Sequence, residues 1–308
     1  MKEIGSEFWL NEEVCDIENK DLPKWLNLGS DNRLVLSGRT ALHLVLKDIL
    51  AKHVLKTVYF PSYCCQSMLQ PFIDLGIEIV FYDVYYEDEL RFNININQKC
   101  DIFFAMNYFG FSLGRMDKYI EKFKKRNVII IEDSTHSLLS SKVYNQSSDY
   151  IIVSLRKWFP IISGGLAVKR KGRFTVNQEK NTYDKMINLR KTAMLLKGRY
   201  ISEDALIEKE KYLDKYSKAN NMLNEKYQFF NIDTDSSNIL KSLDIELVIS
   251  KRKTNSALLY KSLPIVSSFT FLFNDIKEDE CPIFIPIILK SKVKRDRLRD
   301  YLTSNSIY

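Results

Sequence analysis

Along the first half of the chain, apolar residues fall into short continuous runs separated by stretches of helical spacing. Thr40–Leu50 sets Leu42, Val45, Leu46 and Ile49 on one face of a helix, and Thr57–Phe60 is a β-rich run closed by Pro61. The alternation then repeats. Cys65–Leu75 predicts a helix and Ile77–Val84 a strand; Asp101–Met106 and Asn127–Ile131 are further apolar runs, with the amphipathic, lysine-rich stretch Met116–Arg126 between them. Tyr150–Leu155 and Leu166–Val168 complete the strand set. Strands alternating with helices of this length predict βαβ units, an α/β fold with a mainly parallel sheet flanked by helices. Ligand sites of such sheets lie beyond the carboxyl ends of the strands.

From about residue 175 to 230 the pattern turns charged and helical. Beyond it, Ile239–Ser262 predicts one long helix, Cys281–Leu289 a β-hairpin or edge strand, and Val293–Leu302 a last amphipathic helix. These elements predict a smaller α+β domain over 239–308, after a large domain over 1–238 that includes the N-terminal segment and the helical connection. The length of 308 residues agrees, being about twice the ~150 of a typical domain.

Composition narrows the function classes. Hydrophobic residues at 45% and charged residues at 28% exclude wholesale disorder and a coiled coil. The net charge of +7 suits an anionic small molecule as well as a nucleic acid. The lysines, however, are spread over helices such as 118–126 and 251–253 with no recognition motif, which reads as a solvated face and not as a nucleic-acid surface. The first twenty residues lack the apolar core of a signal peptide, and no apolar run approaches the ~18 residues of a membrane span, so a soluble cytoplasmic protein is expected. Five cysteines, an odd count without paired CxxC spacing, predict reduced and mostly buried thiols, with neither a disulfide framework nor a metal site. Glycine is scarce. Ten in the chain is about 3%, against ~7% on average, and none follows Gly198, so each one is expected to be there for geometry.

Three polar constellations stand at the ends of apolar runs. Ser37-Gly38-Arg39-Thr40 precedes a helix, where free N–H groups and the positive end of the helix dipole favour an anion; the same residues also read as an ordinary N-cap with a solvated arginine. Glu132-Asp133-Ser134-Thr135-His136 follows an apolar run and puts carboxylates at the ligand end of a strand, or else caps the next segment. Ser154-Leu155-Arg156-Lys157 runs into Trp158-Phe159-Pro160-Ile161-Ile162-Ser163-Gly164-Gly165. A lysine between two apolar runs is poorly placed for solvent, and desolvation favours the nucleophilic free amine; a surface lysine is the plainer alternative. Together the three supply what pyridoxal 5′-phosphate requires: an anion cradle, a carboxylate for its pyridine nitrogen and a lysine for the Schiff base.

In order and spacing these residues resemble the DegT/StrS-type aminotransferases, fold-type-I pyridoxal-phosphate enzymes that mostly aminate keto-sugars attached to nucleotides. The resemblance runs from Ser37-Gly38-x-Thr40-Ala41-Leu42-His43-Leu44 through Phe60-Pro61-Ser62, Phe81-Tyr82-Asp83-Val84, Tyr108-Phe109-Gly110 and Met116-Asp117. It continues through Ile131-Glu132-Asp133-x-x-His136 and Lys157-x6-Gly164-Gly165 to Arg295-Asp296-x-Leu298-x-x-Tyr301-Leu302. It is dense over 37–168, thin over 172–280, and stops at Ser306-Ile307-Tyr308, short of the further small-domain residues of relatives.

The resemblance implies that Lys157 carries the cofactor as a Schiff base and moves the proton between substrate and cofactor. It implies that Asp133 pairs with the pyridinium nitrogen, that His136 lies close to the cofactor ring, and that Gly38, Arg39, Thr40 and Ser154 bind the phosphate. Cys65 stands where relatives often stack an aromatic residue on the ring, with Tyr63 as a substitute, and relatives have two more residues between the phosphate-binding serine and the lysine. The implied reaction is ping-pong: an amino donor, glutamate, and then a keto-sugar acceptor, in a homodimer, for surface polysaccharide or related glycan biosynthesis. A catalytically degenerate protein of the same fold, binding a sugar nucleotide or a partner subunit without turnover, is the alternative.

Overall fold

The computed structural model describes residues 3–11, 22–177, 181–202, 208–263 and 268–308. Ten strands are described: β1 (Asp31–Val35), β2 (Thr57–Pro61), β3 (Glu78–Tyr86), β4 (Leu90–Asn93), β5 (Ile102–Met106), β6 (Ile129–Asp133), β7 (Tyr150–Ser154), β8 (Gly165–Lys169), β9 (Phe269–Phe271) and β10 (Ile287–Leu289). The helices are α1 (Gly38–Leu50), α2 (Gln66–Asp74), α3 (Asp117–Lys124), α4 (Asp184–Ile201), α5 (Lys209–Glu225), α6 (Thr234–Ser242), α7 (Ile245–Ser262) and α8 (Lys292–Ser304).

The uninterrupted apolar runs became the centre of the main sheet, where both faces are covered. β5 and β8 are buried at every position, and β2, β6 and β7 at all but one end residue. Strand order is β1-β8-β7-β6-β5-β2-β3-β4, parallel from β7 across to β3 and antiparallel at both edges, where β8 and β1 close one side and β4 the other. Alternate residues point to opposite faces. Phe60, Ile102, Phe104 and Ile152 pack under α1 and α2 with Val45 and Phe72, whereas Tyr59, Phe103 and Ile130 pack under α3 with Ile120 and Phe123. On that second face, Ile151, Val153 and Leu166 meet Leu240 of α6 together with Cys281 and Ile283. The expected α/β architecture, a mostly parallel sheet between helical layers, is therefore present.

Four local expectations are corrected. β1 and β4 carry no clear apolar signal and are edge strands: Asp31, Asn32 and Arg33 of β1 bond to Phe174, Leu28 and Val176, and Arg91 and Asn93 of β4 are exposed. The helix expected over Ile239–Ser262 is two, because Leu243 leaves the helical conformation and the Asp244 side chain accepts a hydrogen bond from the Leu247 N–H at 3.0 Å, starting α7 afresh. Of Cys281–Leu289 only β10 is strand, and it pairs antiparallel with β9 in a separate two-stranded sheet. Among the described cysteines only Cys281 is buried; Cys64 and Cys100 are half-buried, Cys65 is exposed, and Cys15 lies outside the described residues. The residue-239 boundary falls within α6. No described helix is long and apolar enough to cross a membrane.

Candidate functional site

The carboxyl ends of β6 and β7 open on a cavity of about 240 Å³ that the first turn of α1 also lines. Its lining brings together Gly38, Arg39, Cys65, Asp133, Ser154 and Lys157, six of the eight residues expected from the sequence.

Chain crossings set the cradle. Gly165 starts β8 with Ser154 and Val35 as its two cross-strand partners, and a Cβ at Gly165 would run into the Ser37 carbonyl. A Cβ at Gly38 would sit 3.0 Å from Ser154 Cβ. Only glycine lets the three segments meet so closely. Ser37 caps α1, its Oγ accepting from the Thr40 N–H at 3.2 Å, and its carbonyl takes the Ala41 N–H. Gly38 and Arg39 stand in the first turn of the helix, at its positive end, and both line the cavity. Thr40 is not on the wall. It is buried, and its hydroxyl donates to the Tyr227 carbonyl at 2.7 Å, tying the cradle helix to the chain after α5.

Asp133 ends β6, and its Oδ1 accepts the Thr135 N–H at 2.9 Å. Burial raises its carboxyl above the ordinary range, against the pull of the Lys157 charge and of Thr135. The neighbouring Glu132 turns to the other side of the strand, where it is fully buried and accepts from the Asn107 amide, the Asn145 N–H and the Ser148 hydroxyl. It holds loops together and has no part in the cavity. Thr135 also accepts the Ser154 N–H at 2.9 Å, joining the ends of β6 and β7.

Lys157 sits on a 3-10 turn held down by Trp158, whose indole N–H donates to the Thr135 carbonyl at 2.5 Å and whose ring lies under the Arg252 guanidinium at 4.5 Å. The expected desolvation of Lys157 is not found; the residue is exposed, and its amine is directed by contact instead. His136 supplies that contact. It is buried, off the cavity wall, with its Nδ1 accepting the Phe109 N–H at 3.2 Å, so the ring proton is on Nε2, which faces Lys157 Nζ at 3.3 Å. Burial, with the Lys157 charge adding, pushes His136 down to about 3. In the unfolded chain it takes up a proton near pH 6.5. Folding stability is therefore lost as pH falls below about 6.5, and His136→Gln removes that share. Between pH 7 and 5 the melting temperature of the wild type should drop further than that of His136→Gln; equal drops would show that His136 does not titrate against folding.

Cys65 lies at the cavity edge, its Sγ 3.1 Å from Ser67 Oγ, while Tyr63 is turned to Tyr108, the two rings nearly parallel with centroids 5.8 Å apart. Three charged wall residues have no role in the sequence reading: Arg156, Arg190 and Glu7. Arg156 is visible beside the lysine, but nothing local distinguishes Arg190 on the charged α4 or Glu7 in the N-terminal segment.

Gly38, whose missing Cβ leaves the cradle open, and the buried guanidinium nitrogens without hydrogen-bond partners among the described residues (Arg39 Nε, Arg156 Nε, and Nε and Nη1 of Arg190) fit a phosphate. Lys157 and Asp133, on the wall of the same cavity, fit the aldehyde and ring nitrogen of pyridoxal phosphate.

No protein-family model matches the sequence, and no curated protein matches it. Solved structures do. The chain is similar to Spr1654 of Streptococcus pneumoniae, assigned as a sugar aminotransferase, with 15% identity over 97% of this chain and 76% of that one and a TM-score of 0.60. That protein is known in PLP and PMP forms. The aminotransferase TlmJ of Streptoalloteichus hindustanus matches at 15% identity over 92% and 73% of the two chains, with a TM-score of 0.58. A 3-amino-5-hydroxybenzoic acid synthase matches at 15% over 90% and 68%, with a TM-score of 0.59. At these identities what is shared with these aminotransferase structures is the fold.

Proposed function

We propose that this chain is a pyridoxal-phosphate-dependent aminotransferase, acting in the cytoplasm as a homodimer. In this reading it moves the amino group of glutamate to a nucleotide-linked keto-sugar for surface polysaccharide or related glycan biosynthesis. The observation that carries the reading is that the Lys157 amine, the Asp133 carboxylate and the amino terminus of α1 line one cavity. The sugar acceptor is supported by the sugar aminotransferases among the structural neighbours.

Bound there, the cofactor supplies an electron-withdrawing ring that weakens the Cα–H bond of an amino acid. The chain's own residues do the rest. Lys157 Nζ would hold the cofactor at its aldehyde carbon and would move the proton at the substrate Cα. Asp133 would keep positive charge on the ring nitrogen from its buried place at the end of β6. Gly38 and Arg39 N–H groups and Ser154 take the phosphate, Thr40 fixes the helix that presents it, His136 directs the Lys157 amine, and Cys65 borders the ring. Residues 1–238 would form the cofactor domain and 239–308 the smaller one.

The test is the visible spectrum of the purified protein mixed with pyridoxal phosphate. A visible band should form, borohydride should fix the pyridoxyl group on Lys157, and glutamate should bleach the band with one equivalent of 2-oxoglutarate released. Cofactor capture without bleaching by any amino acid would favour the non-catalytic alternative.

A further inference from the structure

We propose that Arg39, Arg156 and Arg190 form a guanidinium triad that binds the phosphate of a phosphomonoester inside this chain's own cavity, with Arg190 as its buried anchor. The proposal rests on the cofactor reading for the identity of that monoester, though not for the chemistry of the triad.

The three arginines come from unrelated elements: the first turn of α1, the turn before Lys157, and the middle of α4. All three line the same cavity. Arg190 is 3% exposed, yet among the described residues its Nε and Nη1 have no hydrogen-bond partner, and Nη2 donates to Glu7 Oε2 at 2.6 Å. Arg156 Nε and Arg39 Nε are likewise buried without partners, while the outer nitrogens of Arg39 hold the Leu223 carbonyl and Asn224 Oδ1 of α5. A buried guanidinium nitrogen left without an acceptor is costly, and three like charges lining one cavity add to that cost because they repel. That repulsion is visible at Arg156, pushed down to about 9 by burial and by Arg190 and Arg39, with Glu7 opposing.

An anion removes the whole cost. Three guanidinium charges against the single Glu7 carboxylate leave two positive charges, which match the nearly two negative charges of a phosphomonoester near neutral pH. A carboxylate carries one charge and too few lone pairs for four free guanidinium nitrogens plus the Gly38 and Arg39 N–H groups. Arginine forks also suit the oxygen geometry of phosphate. Glu7 then both holds Arg190 in place and limits the surplus charge.

The experiment compares pyridoxal phosphate with pyridoxal, which has the same ring and aldehyde but no phosphate, by absorbance titration. Inorganic phosphate is scored separately by the shift it causes in melting temperature. For the wild type, pyridoxal phosphate should bind far more tightly than pyridoxal, and inorganic phosphate should raise the melting temperature. Arg190→Gln and Arg156→Gln should each weaken pyridoxal phosphate about 10- to 100-fold, leave pyridoxal unchanged and abolish the phosphate shift. Arg190→Lys, which keeps the charge but loses the fork, covers the case in which Arg190→Gln does not fold and should fall between. Variants that keep the wild-type preference for the phosphorylated aldehyde, or that lose both aldehydes equally, overturn the triad. If the wild type captures neither aldehyde while inorganic phosphate still stabilises it through these arginines, the cofactor reading fails and the triad stands, its monoester then belonging to the substrate. If only a dicarboxylate such as glutamate stabilises it, the triad is a carboxylate site and the proposal is wrong.

Discussion

Lys157→Ala should leave a folded protein that borohydride no longer labels with a pyridoxyl group and whose transamination is at least ~10⁴-fold slower. Two contributions are lost at once: the nucleophile, and the base that moves the Cα proton, each worth on the order of 10²–10⁴. No other lysine lines the described cavity. Folding is expected to survive, because Lys157 is exposed and its turn is held by Trp158 and not by the amine; substitutions at such positions usually stay within about ±0.5 kcal/mol. A melting curve close to wild type with the label absent is therefore the expected pair of results. Label recovered on the alanine variant at wild-type level would refute the assignment, whatever the activity.

What could be read from the sequence was what is local. The central strands were legible because both faces are buried and their apolar runs are unbroken, as in Ile102–Met106. The edges were not. β1 begins Asp-Asn-Arg, whose side chains bond to Phe174, Leu28 and Val176 and do not join an apolar layer, and β4 is Leu-Arg-Phe-Asn, which turns Arg91 and Asn93 to water. The break at Leu243-Asp244 was hidden by good helix formers on both sides, and a single capping carboxylate decided it. In the site, Ser37–Thr40, Asp133–His136 and Ser154–Lys157 were recognisable because each clusters its polar residues at an element's end. Arg190 and Glu7 were not, since their meaning arises only when α4 and the N-terminal segment fold over the cavity, far apart in sequence. The exposure of Lys157 was misread for a related reason. Its apolar sequence neighbours, Leu155, Trp158 and Phe159, point into the core of the second sheet face, and the turn that buries them lifts the lysine out.

Asp133→Asn separates charge from shape. Asparagine keeps the size and an acceptor for the Thr135 N–H, so the β6 end should hold. The carboxylate is buried, and burial alone raises its pKa, with only Lys157 and Thr135 opposing. Without ligand, then, the charge is a cost to folding, and the variant should melt at or above the wild-type temperature. With pyridoxal phosphate the sign reverses. A cation on the ring nitrogen repays the buried carboxylate, whereas asparagine offers it only a dipole, so the ligand should stabilise the variant less than the wild type. The glutamate half-reaction should slow by about 10²–10³-fold, the usual loss when one preorganised electrostatic partner is removed from a dry site. A cofactor methylated on the ring nitrogen carries its positive charge permanently and needs no carboxylate to keep it. It should restore part of the lost rate in Asp133→Asn while adding nothing to Lys157→Ala. Turnover by Asp133→Asn at the wild-type rate, or rescue of both variants alike, would mean that Asp133 supports the strand end and does not set the charge of the ring.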